Sequence, residues 1–266
     1  MKKLALACMV LLFYVSLTVN AEVIFLDDFQ NSDVGSPPVG PQIGTYLQSV
    51  GNHTITDIGG GNLALRSTDG TATGGFVIHC APTVQPVKSI VEYNFQIEQD
   101  TTTNLESLNA FGQELILGPT GNTLYLYWGD DGKTYLRPSI NGNSLNPIDL
   151  GYNWYFDTDY HVVWNVDAVA DTYSLTINGA VLCDNSVFGV DLSSLYGFAY
   201  FSNYSTIGNQ LIDNVKITEV PETCFYVVTG DLNDDCKVNL ADFAMMAANW
   251  LIDCNANPSD PACVPK

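Results

Sequence analysis

Basic residues are scarce in this chain. Nine Lys and Arg stand against 29 Asp and Glu, for a formal net charge of −20. That balance repels phosphate backbones and anionic lipid, so nucleic acid and anionic membrane surfaces are poor candidates as partners. Histidine is scarcer still: only His53, His79 and His161 occur. There is no CxxC pair, and three histidines alone make a poor basis for a zinc cluster. Neither a G-x-S-x-G elbow nor an HExxH pair is present, which removes two familiar hydrolase signatures. After residue 21 no apolar run approaches the ~20 residues that a bilayer span takes. Before residue 238 no stretch of helical period exceeds two turns. The acidity is nevertheless not that of a disordered chain. Hydrophobic residues make up 46% and charged ones only 14%, enough apolar material for a substantial core.

What is present begins with "MKKLALACMVLLFYVSLTVNA". Lys2 and Lys3 form a positive start, Leu4 to Val19 is almost wholly apolar, and small residues surround a cut after Ala21. Residues 1–21 therefore read as a secretory signal peptide, and the mature chain as exported, with no membrane span left after its removal. Of the seven cysteines, six follow the leader: Cys80, Cys183, Cys224, Cys236, Cys254 and Cys263. An even number in an exported chain favours disulfides over a thiol nucleophile.

From residue 22 to 219 the chain reads as strands. Runs such as "VIFLDDF", "SIVEYNFQIE", "TLYLYWG", "TYLRPSI" and "LIDNVKITEV" are rich in β-branched and aromatic residues, and Asn-Gly and Gly-Asp turns punctuate them. In "TYSLTI", Tyr173, Leu175 and Ile177 fall on one face and Ser174 and Thr176 on the other, as in a half-buried antiparallel strand. About nine or more strands over ~200 residues point to a mainly β fold, an antiparallel two-sheet sandwich or jelly roll. Within it Cys80 and Cys183 have only each other and are expected to be bonded. Pro221 ends strand pairing, which places a boundary near residue 220. The stretch "YHVVWNVDAVADTYSLTINGAVL" adds a likeness. With His161, Trp164, Asp167, Tyr173, Asn178 and Gly179, it resembles the central hairpin of laminin-G-like and concanavalin-like jelly rolls. "FLDDF" and "LIDNVKI" are similar to the first and last strands of such domains. The resemblance implies a sandwich whose relatives often bind sugars or proteins.

Residues 220–266 change character. In "GDLNDDCKVNLADFAMMAANWL", Asp231, Asn233, Asp235, Lys237, Asn239 and Asp242 occupy positions 1, 3, 5, 7, 9 and 12 of an EF-hand-type loop. Ca²⁺ takes six to eight hard oxygens, and alternate residues of a tight loop aim theirs inward, Lys237 through its backbone carbonyl. Cys236 stands where such loops favour Gly, and Asp242 is shorter than the usual Glu. Leu240, Phe243, Ala244, Ala247, Trp250 and Leu251 then recur with helical period and make one apolar stripe. Loop and helix resemble the calcium-binding half of a dockerin, where "GDLN" runs straight into a helix. Dockerins carry two such loops and this segment one. The resemblance implies bound Ca²⁺ and docking onto a cohesin-like or cell-surface protein. A helix from Leu240 to Ile252 is ~18 Å long. It carries Cys254 away from Cys236, beyond the ~6 Å Cα separation of a disulfide. Cys224–Cys236 with Cys254–Cys263 is the preferred pairing, and the connectivity of this module stays open.

No catalytic constellation is legible. In "EYNFQIE", Glu92 and Glu98 lie ~20 Å apart along an extended strand, too far for the 5–9.5 Å carboxyl pair of a glycosidase, and Asn94 replaces a middle acid. His161, inside a strand, reads as a packed structural histidine. Aromatic side chains near turns offer sugar-stacking candidates: Tyr127, Trp128 and Asp130 in one segment, Trp154 and Tyr155 in another. Asp27 or Asp28 together with Asp213 is a second candidate cation pair, shared by the first and last strands. The expectation is a secreted, non-catalytic carbohydrate-binding or adhesion protein with a calcium-stabilised C-terminal module. The alternatives are a cell-surface assembly component that docks through that module and a divergent polysaccharide hydrolase.

Overall fold

The computed structural model describes residues 21–50, 52–69, 77–99, 111–118, 121–189, 192–202 and 208–220, with Val238, Phe243 and Ala244 beyond them. Most of the expected leader lies outside these residues. So do all six expected calcium ligands and Cys224, Cys236, Cys254 and Cys263. Phe243 and Ala244 are helical.

Sixteen strands are described. They are β1 (Glu22–Asp27), β2 (Thr45–Val50), β3 (Asn52–Gly59), β4 (Asn62–Asp69), β5 (Val77–Ala81), β6 (Lys88–Glu98), β7 (Phe111–Leu117) and β8 (Thr123–Trp128). There follow β9 (Lys133–Ile140), β10 (Asn143–Ser144), β11 (Ile148–Asn153), β12 (Tyr160–Asp167), β13 (Thr172–Ile177), β14 (Ala180–Val187), β15 (Leu195–Ser202) and β16 (Gly208–Glu219). They form two antiparallel sheets. The first runs β14-β13-β12-β6-β16-β4-β3, with β1 also on β16. The second runs β10-β9-β8-β7-β15-β5-β2, with β11 also on β9. The expected two-sheet antiparallel sandwich is what the chain forms. Among the described residues no helix is long and apolar enough to cross a membrane.

Alternation builds the sheets and the space between them. Along β6 every second residue is buried, so Val91, Tyr93, Phe95 and Ile97 face the second sheet. In β13 Tyr173, Leu175 and Ile177 turn inward, as their spacing demands. Aromatic rings lock the sheets together. Phe95 of β6 meets Trp128 of β8 at 4.7 Å between centroids, Tyr93 meets Phe198 of β15 at 4.7 Å, and Trp128 meets Tyr160 of β12 at 4.8 Å. Gln113 sits buried among them and satisfies two polar tips. The Trp128 indole donates to its Oε1 at 2.6 Å, and the Tyr93 hydroxyl donates at 3.4 Å. Asn178 and Gly179, both at positive φ (49° and 77°), make the two-residue turn between β13 and β14.

The expected Cys80–Cys183 disulfide is not formed; both are free thiols. Cys80 lies on β5, near one edge of the second sheet. Cys183 lies on β14, the opposite edge of the first. Strand order separates them beyond the reach of a sulfur–sulfur bond.

Candidate functional site

The outer face of the first sheet carries an open groove. Alternation that sends Tyr93 and Phe95 inward sends Glu92, Asn94, Gln96 and Glu98 outward along β6. Register then builds rows across the sheet. His161 of β12 stands beside Asn94, and Asn94 beside Asp213 of β16. In the next row Gln96 stands beside Leu211, and Leu211 beside Arg66 of β4. With strands ~4.8 Å apart, the His161–Asn94–Asp213 row extends ~10 Å. His161, Asn94, Asp213, Gln96 and Leu211 of these rows line a groove of about 380 Å³, with Arg66 just outside it. Ile58, Ala64 and Leu211 supply apolar lining, and Asn62, Asp159 and Asn178 supply polar rim.

Some of these polar groups are spoken for. Asn178 Oδ1 accepts the His161 backbone N–H at 2.7 Å, and its Nδ2 donates to the Asp159 carbonyl at 3.2 Å. Asn62 Nδ2 donates to Asp213 Oδ2 at 3.2 Å. Four others are open. The side chains of Asn94, Gln96, Asp159 and His161 make no hydrogen bond to any described residue. His161 and Asp159 are exposed, and Asn94 and Gln96 are half-buried in the sheet face. Amide, carboxylate and imidazole groups with unused donors and acceptors over an apolar lining are what a polyhydroxyl ligand requires. The expectation of a packed, structural His161 is thus corrected. Strand β12 buries Val162 and Trp164, and alternation puts His161 on the open side.

Two ion pairs bracket the groove. On one side Lys216 of β16 donates to Glu92, its cross-strand neighbour. On the other, Arg66 Nη2 donates to Glu98 Oε1 at 2.5 Å. Glu92 and Glu98 are each paired with a cation of a neighbouring strand. The groove between them was partly readable beforehand: the period-2 pattern Glu-x-Asn-x-Gln-x-Glu marks one polar face of β6. Asp159 and Asn178 carried no comparable signal, because turns bring them to the rim.

The second sheet's outer face differs. Tyr125 and Tyr127 stack at 5.6 Å, and the Phe201 ring sets its edge against both at 5.9 Å. Gly112 makes room for that ring, since a Cβ there would sit 2.5 Å from Phe201 Cζ. Burial raises the Glu114 carboxyl above its ordinary range, although the Tyr125 and Thr123 hydroxyls oppose the shift. Burial likewise raises Tyr125, to about 12. The expected stacking residues meet mixed fates. Trp128 is fully buried and Trp154 nearly so, at 4% exposure; their rings fill the core, and neither offers a face to a ligand. Tyr127 is buried in the Tyr125–Phe201 cluster. Asp130 and Tyr155 are exposed. The structure does join the two segments, because the Trp154 indole donates to the Gly129 carbonyl at 2.9 Å. The join is made by the buried Trp154, and Tyr155 stays exposed beside it.

At the seam where β1 and β4 share one edge of β16, Asp27 and Asp213 are both buried. Asp27 Oδ1 accepts the Phe29 N–H at 3.0 Å, and Oδ2 accepts the Tyr46 hydroxyl. Asp213 accepts the Asn214 N–H at 2.7 Å. Burial pushes Asp27 up to about 6, with Asp28 and Asp213 adding to the rise. Among the described residues no group of three His, Cys, Asp or Glu is arranged to hold a metal ion.

Comparison with known proteins speaks to architecture. No family model matches the chain, and no curated protein matches it. Among solved structures it is similar to a sialidase, with TM-score 0.52 and 12% identity over 87% of this chain and 21% of that one. It is similar to the cellulose induced protein Cip1, with TM-score 0.51 and 10% identity over 73% of this chain and 97% of that one. The conserved carbohydrate esterase of the Shiga toxin-encoding bacteriophage phi24B gives TM-score 0.50 and 13% identity over 75% and 99%. The chain thus spans about a fifth of the sialidase's length. At these identities the likeness is one of fold.

Proposed function

We propose that this is a secreted, non-catalytic carbohydrate-binding protein that holds glycan in the groove across β12, β6 and β16. The observation that carries the reading is the set Asn94, Gln96, Asp159 and His161. Four polar side chains converge on one groove and use none of their capacity within the described residues. Several solvent-facing polar groups gathered over an apolar lining are suited to sugar hydroxyls. The ion pairs of Glu92 and Glu98 support a binding role over a hydrolytic one. The fold is also that of proteins named as a sialidase and a carbohydrate esterase. The C-terminal loop, with Asp231, Asn233, Asp235, Lys237, Asn239 and Asp242, is proposed to bind Ca²⁺ and to stabilise or tether the sandwich.

A glycan array with the full mature chain tests the groove. Wild type should retain specific oligosaccharides, and Asn94→Ala/Gln96→Ala should weaken that binding at least tenfold with the far-UV spectrum unchanged. Binding that survives the double substitution would move the site elsewhere. Elemental analysis tests the loop: about one Ca²⁺ per chain is expected, and Asp231→Ala should lose it.

A further inference from the structure

We infer that the groove is selective by charge: it accepts uncharged glycans and excludes uronates and other anionic sugars. This rests on the carbohydrate-binding reading and adds the ligand class. The first observation is what lines the groove. Asp159 and Asp213 bring carboxylates, Asn62, Asn94, Gln96 and Asn178 bring amides, and no Lys or Arg contributes to the lining. The second is what stands beside it. The nearest cations in the sheet register, Lys216 and Arg66, are each held by a glutamate, Glu92 and Glu98, at the two sides of the groove. Elsewhere Lys88 pairs with Asp167 at 3.1 Å and Lys133 with Asp149 at 2.7 Å. Arg137 belongs to the other sheet, where its Nε donates to the Leu145 carbonyl at 2.8 Å.

A carboxylated sugar entering the groove therefore meets two aspartates. Among the described residues it finds no Lys or Arg in the lining, and the two cations nearest in the sheet register are each paired with a glutamate, in a chain of net charge −20. Like-charge juxtaposition of this kind rejects the wrong ligand at little cost to the right one. An uncharged sugar needs only what Asn94, Gln96, Asp159 and His161 offer: paired donors and acceptors for neighbouring hydroxyls.

The test compares matched oligosaccharides by calorimetry at low and at physiological salt. The neutral set is oligomers of glucose, xylose and arabinose; the anionic set is oligomers of mannuronate and galacturonate. Neutral ligands should bind with an affinity almost independent of salt, and anionic ones at least tenfold more weakly. Glu92→Gln/Glu98→Gln, which leaves Lys216 and Arg66 unmatched, should gain anionic binding at low salt. Thermal melting reports whether that variant is folded, and Asp159→Asn serves as an independent variant expected to narrow the gap between the two sets. Anionic binding by wild type equal to or tighter than neutral binding overturns the charge selectivity and leaves the glycan reading standing. Failure of every sugar in both sets overturns the glycan reading itself.

Discussion

The two outer faces of this sandwich are made from the same kind of strand and end in opposite states. On the second sheet Tyr125, Tyr127 and Phe201 consume one another's surfaces, and Tyr127 is left 7% exposed. On the first sheet Asn94, Gln96, Asp159 and His161 leave their hydrogen-bonding capacity unspent. Aromatic residues, the usual clue to a sugar site, mark the closed face. Amides, which carry little weight in a composition table, mark the open one. A site is identified by the chemistry that remains available after folding, and packing removes most of the aromatic candidates from that set.

The largest effect should come from beneath the closed face. Trp128→Ala removes the ring that packs on Phe95 and Tyr160 and leaves the Gln113 carbonyl without its indole donor. A loss of about 3–5 kcal/mol is expected in urea unfolding. A loss under 1 kcal/mol would mean that the aromatic bridge does not hold the sheets together.

Next comes the seam of the first sheet. The folded chain keeps a proton on Asp27 up to about pH 6, whereas an unfolded aspartate releases it near 3.9. The folded state therefore binds more protons between those values. The stability from this group is fully present below about pH 4 and is lost as pH rises to 6, by roughly 3 kcal/mol. Asp27→Asn should flatten that part of the curve and exceed wild type at pH 7, measured in chelator so that no cation contributes. Parallel curves for the two proteins would show that Asp27 titrates normally.

The closed face itself is probed more gently. Gly112→Ala pushes a methyl into the Phe201 ring, which can swing outward but then gives up its edges on Tyr125 and Tyr127. About 1 kcal/mol should be lost, with a change in the near-UV tyrosine signal. A stabilised variant would show that the ring does not lie across Gly112.

Much of this architecture was legible in period-2 patterns. Strands β12 and β13 coincide with "YHVVWNVD" and "TYSLTI", and the Asn178–Gly179 turn is the one its residues demand. Strand β14 was not singled out. As an edge strand it exposes Ala180, Val181, Asp184 and Asn185, so no buried face stamps an alternation on it. The site was half legible. Outward Asn94 and Gln96 follow from β6's alternation. That the faces of His161 and Asp213 adjoin them depends on strand order, because β6 lies between β12 and β16, and these two residues come 67 and 119 positions after Asn94. Trp128 and Trp154 misled for the converse reason: a tryptophan beside a turn can point either way, and here both point inward.

The smallest effect concerns the ion pairs that bracket the open face. Glu92 and Lys216 are both roughly one-third exposed. At such exposure water and salt screen the attraction, and ordering two long side chains offsets part of it, so the pair contributes ~0.5 kcal/mol. Glu92→Gln should therefore lower stability by no more than that, and 0.5 M salt should erase the difference. Its counterpart on the closed face, Gly112→Ala, should be indifferent to salt, because ring contacts carry no net charge. If the Glu92→Gln deficit proved large and persisted in high salt, the groove's flank would be a packed element like the aromatic face. The contrast between a self-satisfied sheet and an open one would then have to be redrawn from Asn94 and Gln96 alone.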